Sequence, residues 1–189
     1  MLRALIIAIT ALSFLGGCTL GGAPRAGLPP LQRVAQIDTD RFAGSWYVIA
    51  NIPYAAEQGR VAGRVLYRER PDGRFDDIYY SKEGDFDAPE EVLEGVAWVL
   101  DPPQNTRWRS RFYWPFLFDF DVLFVDKDYR HLVYGHPSRD YAWIMAREPA
   151  IADSRYQQLL AVLRAQGFDS ASVLKVPQNP EQLGAAGFQ

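Results

Sequence analysis

The 189 residues include a single cysteine, two histidines and two methionines. One thiol forms no internal disulfide, and so few thiols and imidazoles build no zinc-type ligand set. No apolar run reaches the about 20 residues that a membrane-spanning helix needs; the longest, Ala4 to Phe14, falls short. Charge of one sign is also missing, since 20 Lys and Arg stand against 23 Asp and Glu without a basic cluster. That balance argues against a nucleic-acid surface or a polybasic membrane patch. Neither a phosphate loop nor a nucleophile elbow is present. What the chain has in quantity is aromatic: eleven Phe, ten Tyr and five Trp. Many alternate with polar residues, which raises the question of which face they line.

The lone cysteine, Cys18, follows Leu15-Gly16-Gly17 at the end of the short apolar run that begins behind Arg3. A positive start, an apolar stretch and small residues before the cut predict a lipoprotein signal peptide over 1–17. The four residues ending in Cys18 resemble the bacterial lipobox, in which the cysteine is acylated and becomes the mature N-terminus. Residues 18–36, rich in Gly and Ala with Pro24, Pro29 and Pro30, then read as a flexible tether. Thr19 stands where an Asp usually retains lipoproteins at the inner membrane, so the expected location is the outer membrane, facing the periplasm.

From residue 37 the pattern becomes strand-like. Segments at Trp46–Ile52, Arg64–Glu69, Arg74–Ser81, Val92–Leu100, Arg107–Trp114, Asp119–Val125, His131–Tyr134 and Tyr141–Arg147 are separated by turn chemistry such as Pro71-Asp72-Gly73. A helical period then places Tyr156, Leu159, Leu160 and Leu163 on one face, predicting a helix over about 153–166 that Gly167 ends. The expected fold is all-β: an eight-stranded up-and-down antiparallel β-barrel over 37–177 with the C-terminal α-helix packed outside, and a tail over 178–189. A β-sandwich is the structural alternative.

Phe42-Ala43-Gly44-Ser45-Trp46-Tyr47 resembles the first signature of the lipocalin family, Gly-x-Trp on the first strand. Val125-Asp126-Lys127-Asp128-Tyr129-Arg130 resembles the second, and Asp140 to Pro149 the third. Within the family the nearest likeness is to bacterial outer-membrane members. The resemblance implies that Gly44, Trp46 and Arg147 form a structural signature, with the arginine over the indole, a contact worth about 0.5–2 kcal/mol. It also implies a ligand cavity at Trp143. Alternation along the strands carries the inward face from Trp46 to Val48 and Ala50, and from Arg147 to Met145, Trp143 and Tyr141. By the same rule Val65, Tyr67 and Trp98 face inward; Tyr79, Phe112, Trp114 and Phe116 are wall or mouth residues, and Tyr54 sits in a loop over the open end.

No catalytic set emerges, and no enzyme activity, cofactor or metal is expected. His131 and His136 read as surface residues, Asp126 and Asp128 as a turn, and Asp119, Asp121, Glu90, Glu91 and Glu94 as solvated carboxylates. The expected partners are a hydrophobic small molecule, by resemblance a fatty acid or lysophospholipid, and the membrane through the lipid on Cys18. Oligomeric state is left open, a homodimer included. The competing reading is a barrel filled by its own aromatics that serves as a structural or partner-binding envelope protein.

Overall fold

The structure is a computed structural model that describes residues 27–189. The signal peptide and Cys18 lie outside the described residues. The expected β segments form strands within a few residues of their predicted bounds: β1 (Gly44–Ile52), β2 (Arg60–Glu69), β3 (Phe75–Glu83), β4 (Glu91–Val99), β5 (Arg107–Arg111), β6 (Phe118–Val125), β7 (His131–Gly135) and β8 (Ala142–Ala146). Each pairs antiparallel with the next, and β1 pairs with both β8 and β2, closing the sheet into a barrel. One closed sheet excludes the sandwich. A ninth short strand, β9 (Leu174–Lys175), adds to the upper half of β1, where β2 has diverged.

A four-residue helical turn, α1 (Thr39–Phe42), precedes β1, and Asp38 caps it by accepting hydrogen bonds from the Asp40 and Arg41 amides. It delivers Phe42 into the lower end of the barrel, where it stacks on Trp108 with ring centroids 4.8 Å apart. Phe75 and Phe120 pack on the same indole, and Trp46, Val48, Leu132 and Met145 complete a floor with no exposure above a few per cent.

Outside, α2 (Asp153–Ala165) lays Tyr156, Leu159, Leu160 and Leu163 on a second apolar layer from β1 and β6–β8. Its N-cap is Ala152; Asp153 is the first helical residue, 3.3 Å from Lys175 Nζ. Two irregularities prepare this outer face. In β1 the register shifts between Val48 and Ala50, and in β6 between Val122 and Phe124. Each bulge turns two consecutive apolar residues, Ile49 and Ala50 or Leu123 and Phe124, toward the helix layer. Ala50 is therefore not an inward residue, as unbroken alternation predicts, because the extra residue Ile49 reverses the parity. At Gly135 the backbone lets the Phe168 ring close in: a Cβ there would lie 2.4 Å from the ring's Cζ.

Part of the expected tether is bound to the barrel. The Val34 amide donates to the Val122 carbonyl, Gln32 and Gln166 exchange two hydrogen bonds, and Arg139 Nη2 donates to the Pro29 carbonyl. The tail is docked too: Gln178 Nε2 donates to the Val48 and Gly63 carbonyls, and Gln189 Nε2 to Asn51 Oδ1.

Candidate functional site

Above the aromatic floor the barrel opens into a cavity of about 240 Å³. Strand alternation brings Val65 and Tyr67 from β2, Asp77 and Tyr79 from β3, Leu93 from β4, Ser110 from β5, Phe118 from β6, Tyr134 from β7 and Trp143 from β8 to its wall. The β1–β2 segment closes over one side with Tyr54, Ala55, Ala56 and Glu57, and the β5–β6 segment supplies Phe112, Tyr113 and Phe116 at the mouth. The rings pack against one another: Phe118 meets Trp143 edge-on at 5.4 Å, and Tyr54 meets Tyr141 edge-on at 6.3 Å. Pairs of this kind stiffen a wall while leaving it apolar.

Of the candidates named from sequence, Tyr54, Val65, Tyr67, Tyr79, Phe112, Phe116, Tyr141 and Trp143 line this cavity. Val48 and Met145 point inward but belong to the packed floor beneath it. Ala50 faces the helix layer for the reason given above. Trp98 points out of the barrel, because the inward set of β4 is Leu93, Ala97 and Val99 rather than Val96, Trp98 and Leu100. Those inward side chains are small where the facing ones are large. Phe112 fills the space at Gly95, where a Cβ would sit 2.6 Å from its ring. Trp114 is 81 % exposed and turned away from the cavity, since the chain reverses there with the Phe116 amide donating to the Tyr113 carbonyl.

The signature residues meet at the closed end. Arg147 lies over the Trp46 ring at 3.7 Å from its centroid and donates to the carbonyls of Arg41, Ala43 and Ser45 at 2.7–2.8 Å. Burial pushes its guanidinium down to about 10. Gly44 leaves room for it: φ is +98°, and a Cβ would stand 3.2 Å from Arg147 Nη1.

Two carboxyls in the wall were not among the candidates. Glu57, 5 % exposed, accepts from Trp143 Nε1 at 3.0 Å and Asn51 Nδ2 at 3.1 Å, and burial raises its pKa to about 8. Asp77, 3 % exposed, accepts from Ser110 Oγ, and burial raises it to about 7. The alternation that turns Tyr79 inward turns Asp77 inward as well, so that signal was available; Glu57 sits in a loop without a period. Both are desolvated and accept their hydrogen bonds from neutral donors, which is why the protonated form is favoured.

The remaining acidic and imidazole candidates serve structure. Asp119 pairs with Arg109, and Glu90 and Glu91 pair with Arg64 and Arg60. Asp121 is buried beside Arg107 rather than solvated, and His136 is buried rather than at the surface, bonded to Ser138 Oγ and packed on Phe118. Asp126 takes the Arg130 and His131 amides, which fixes the turn between β6 and β7. Among the described residues no group of three or more His, Cys, Asp or Glu is placed to hold a metal.

Residues 37–178 match the protein-family model described as a lipocalin-like domain. The chain is 31% identical over 174 residues to outer membrane lipoprotein Blc of Escherichia coli (strain K12), covering 92% of this chain and 96% of that protein. It is 27% identical over 176 residues to apolipoprotein D of Macaca fascicularis, covering 87% and 90%. Among solved structures, insecticyanin from the tobacco hornworm Manduca sexta superposes with a TM-score of 0.63 at 15% identity, covering 86% of this chain and 92% of that one. At that identity the likeness speaks for the fold.

Proposed function

The chain belongs to the lipocalin family, and from that membership and its cavity we propose that it binds a single-chain lipid, a fatty acid or lysophospholipid, for storage, transport or membrane maintenance. The observation that carries the reading is the hollow upper half of the barrel, walled by Trp143, Phe118, Tyr134 and Val65. At about 240 Å³ it lies just under the range of about 300–1,000 Å³ typical of small-molecule pockets, which suits one acyl chain and not two. Each buried methylene contributes about 0.8 kcal/mol, so eight of them offset an association cost of about 4 kcal/mol with affinity to spare. The head group then rests toward the open end, where Tyr54 and Glu57 close over one side.

In this reading Cys18 carries the acyl anchor, and the chain from Pro29 onward, held on the barrel, adds nothing to the reach of the tether. The relatives named as outer membrane lipoproteins support an outer-membrane location; attachment through Cys18 on the periplasmic side is part of the proposal. The stacked rings around Trp108 favour the competing reading, a self-filled barrel, for the lower half alone. Titrating delipidated protein with a fluorescent fatty acid tests the proposal. Saturable binding that Trp143→Ala weakens at least about tenfold, in a variant whose circular dichroism is native, supports it. Saturable binding untouched by Trp143→Ala removes the site.

A further inference from the structure

The cavity has a sign. Of the residues that line it, Glu57 and Asp77 are carboxylic and none is Lys, Arg or His. The nearby Arg60 is engaged outside the wall, with Nη1 2.6 Å from Glu91 Oε2. His136 packs behind Phe118 and Tyr141, and burial lowers its pKa, so it stays neutral there. Of the wall tyrosines, Tyr54, Tyr67, Tyr79 and Tyr134 are held in the neutral phenol form by burial.

We propose that this cavity prefers, among single-chain amphiphiles, one whose head is a protonated amine, and that Glu57 and Asp77 are the specificity-determining residues that hold it more tightly than a carboxylate head. This rests on the reading of the cavity as a single-chain lipid site. A carboxylate drawn inside finds no cation to offset its desolvation, and it is repelled by either acid once that acid is ionised. An ammonium meets the opposite situation. It donates to a carboxylate that otherwise accepts from neutral groups, Ser110 at Asp77 or Trp143, Asn51 and the Tyr54 backbone at Glu57, and charge-assisted bonds are the stronger ones. Burial moves the ionisation of Asp77 up to about 7 and of Glu57 up to about 8, so an ammonium entering below those values displaces a proton and its affinity rises with pH between about 6 and 8.

The test is calorimetric titration of the folded protein at pH 8 with dodecylamine, dodecanol and dodecanoate, which share one chain, below their micelle concentrations. The expected order is amine tightest, with dodecanoate at least about tenfold weaker, and the gap shrinks in Asp77→Asn or Glu57→Gln. Dodecanoate binding as tightly as the amine in the wild type overturns the proposal, whatever the variants do. So does an amine preference that survives in both variants. Failure of all three ligands to bind the wild type overturns the underlying lipid-site reading instead, and with it this one; dodecanol binding without amine preference leaves that reading intact and removes only the charge selection.

Discussion

Glu57 shows how a single side chain couples stability, proton binding and the cavity. Its carboxyl is buried among Trp143, Asn51 and Tyr54, and its pKa moves from an ordinary 4.5 to about 8. The folded state therefore holds a proton that the unfolded state has released between those values, and stability falls as pH rises through that window, by at most about 1.4 kcal/mol per pH unit for the group. Above about pH 8 the loss is complete. Asp77 acts with the same sign up to about 7. In urea unfolding across pH 5 to 9, wild type is expected to lose stability faster than Glu57→Gln, with the difference largest below pH 8. Parallel curves would show that Glu57 is ionised at no cost in the folded protein.

At the scale of elements, Arg147 joins pieces far apart in sequence. From the end of β8 it reaches over Trp46 of β1 and satisfies carbonyls of α1 and the α1–β1 junction, while its Nε donates to the Tyr129 carbonyl in the β6–β7 turn. Arg147→Ala leaves those carbonyls without their donor and removes the cation–π contact, an expected loss of about 2–3 kcal/mol in equilibrium unfolding. A loss under about 0.5 kcal/mol would mean that water replaces the guanidinium freely. This junction was legible in the sequence because Gly44, Trp46 and Arg147 sit inside long motifs. The strands and helix were legible through period and turn residues. The bulges at Ile49 and Leu123 were not, because an inserted residue leaves the composition of a strand unchanged while reversing everything beyond it; Ala50 was misplaced for that reason. In β4 alternation alone does not say which parity faces inward, and the barrel takes the set with Gly95 and Ala97, not that with Trp98, because Trp108 and Phe112 fill the space beside it.

Taken whole, the molecule is a cup with a solid base. Trp108, Phe42, Phe75 and Trp46 fill the closed end, α2 and the docked segments at both ends of the domain brace the outside, and the hollow lies under Tyr54 and Phe116 at the other end. The same aromatic abundance that left two readings open in the sequence thus does two jobs, filling one half and walling the other. Matching the cavity to one chain has a direct consequence: a two-chain phospholipid has no place for its second chain except water. Stoichiometry decides whether the upper barrel takes a single chain. Calorimetric titration of delipidated protein with a single-chain lysophospholipid, beside its diacyl counterpart presented in vesicles, is predicted to give one saturable site per chain for the first and none for the second. Equal binding of both, or no saturable binding of either, would contradict a single-chain cavity in the upper barrel.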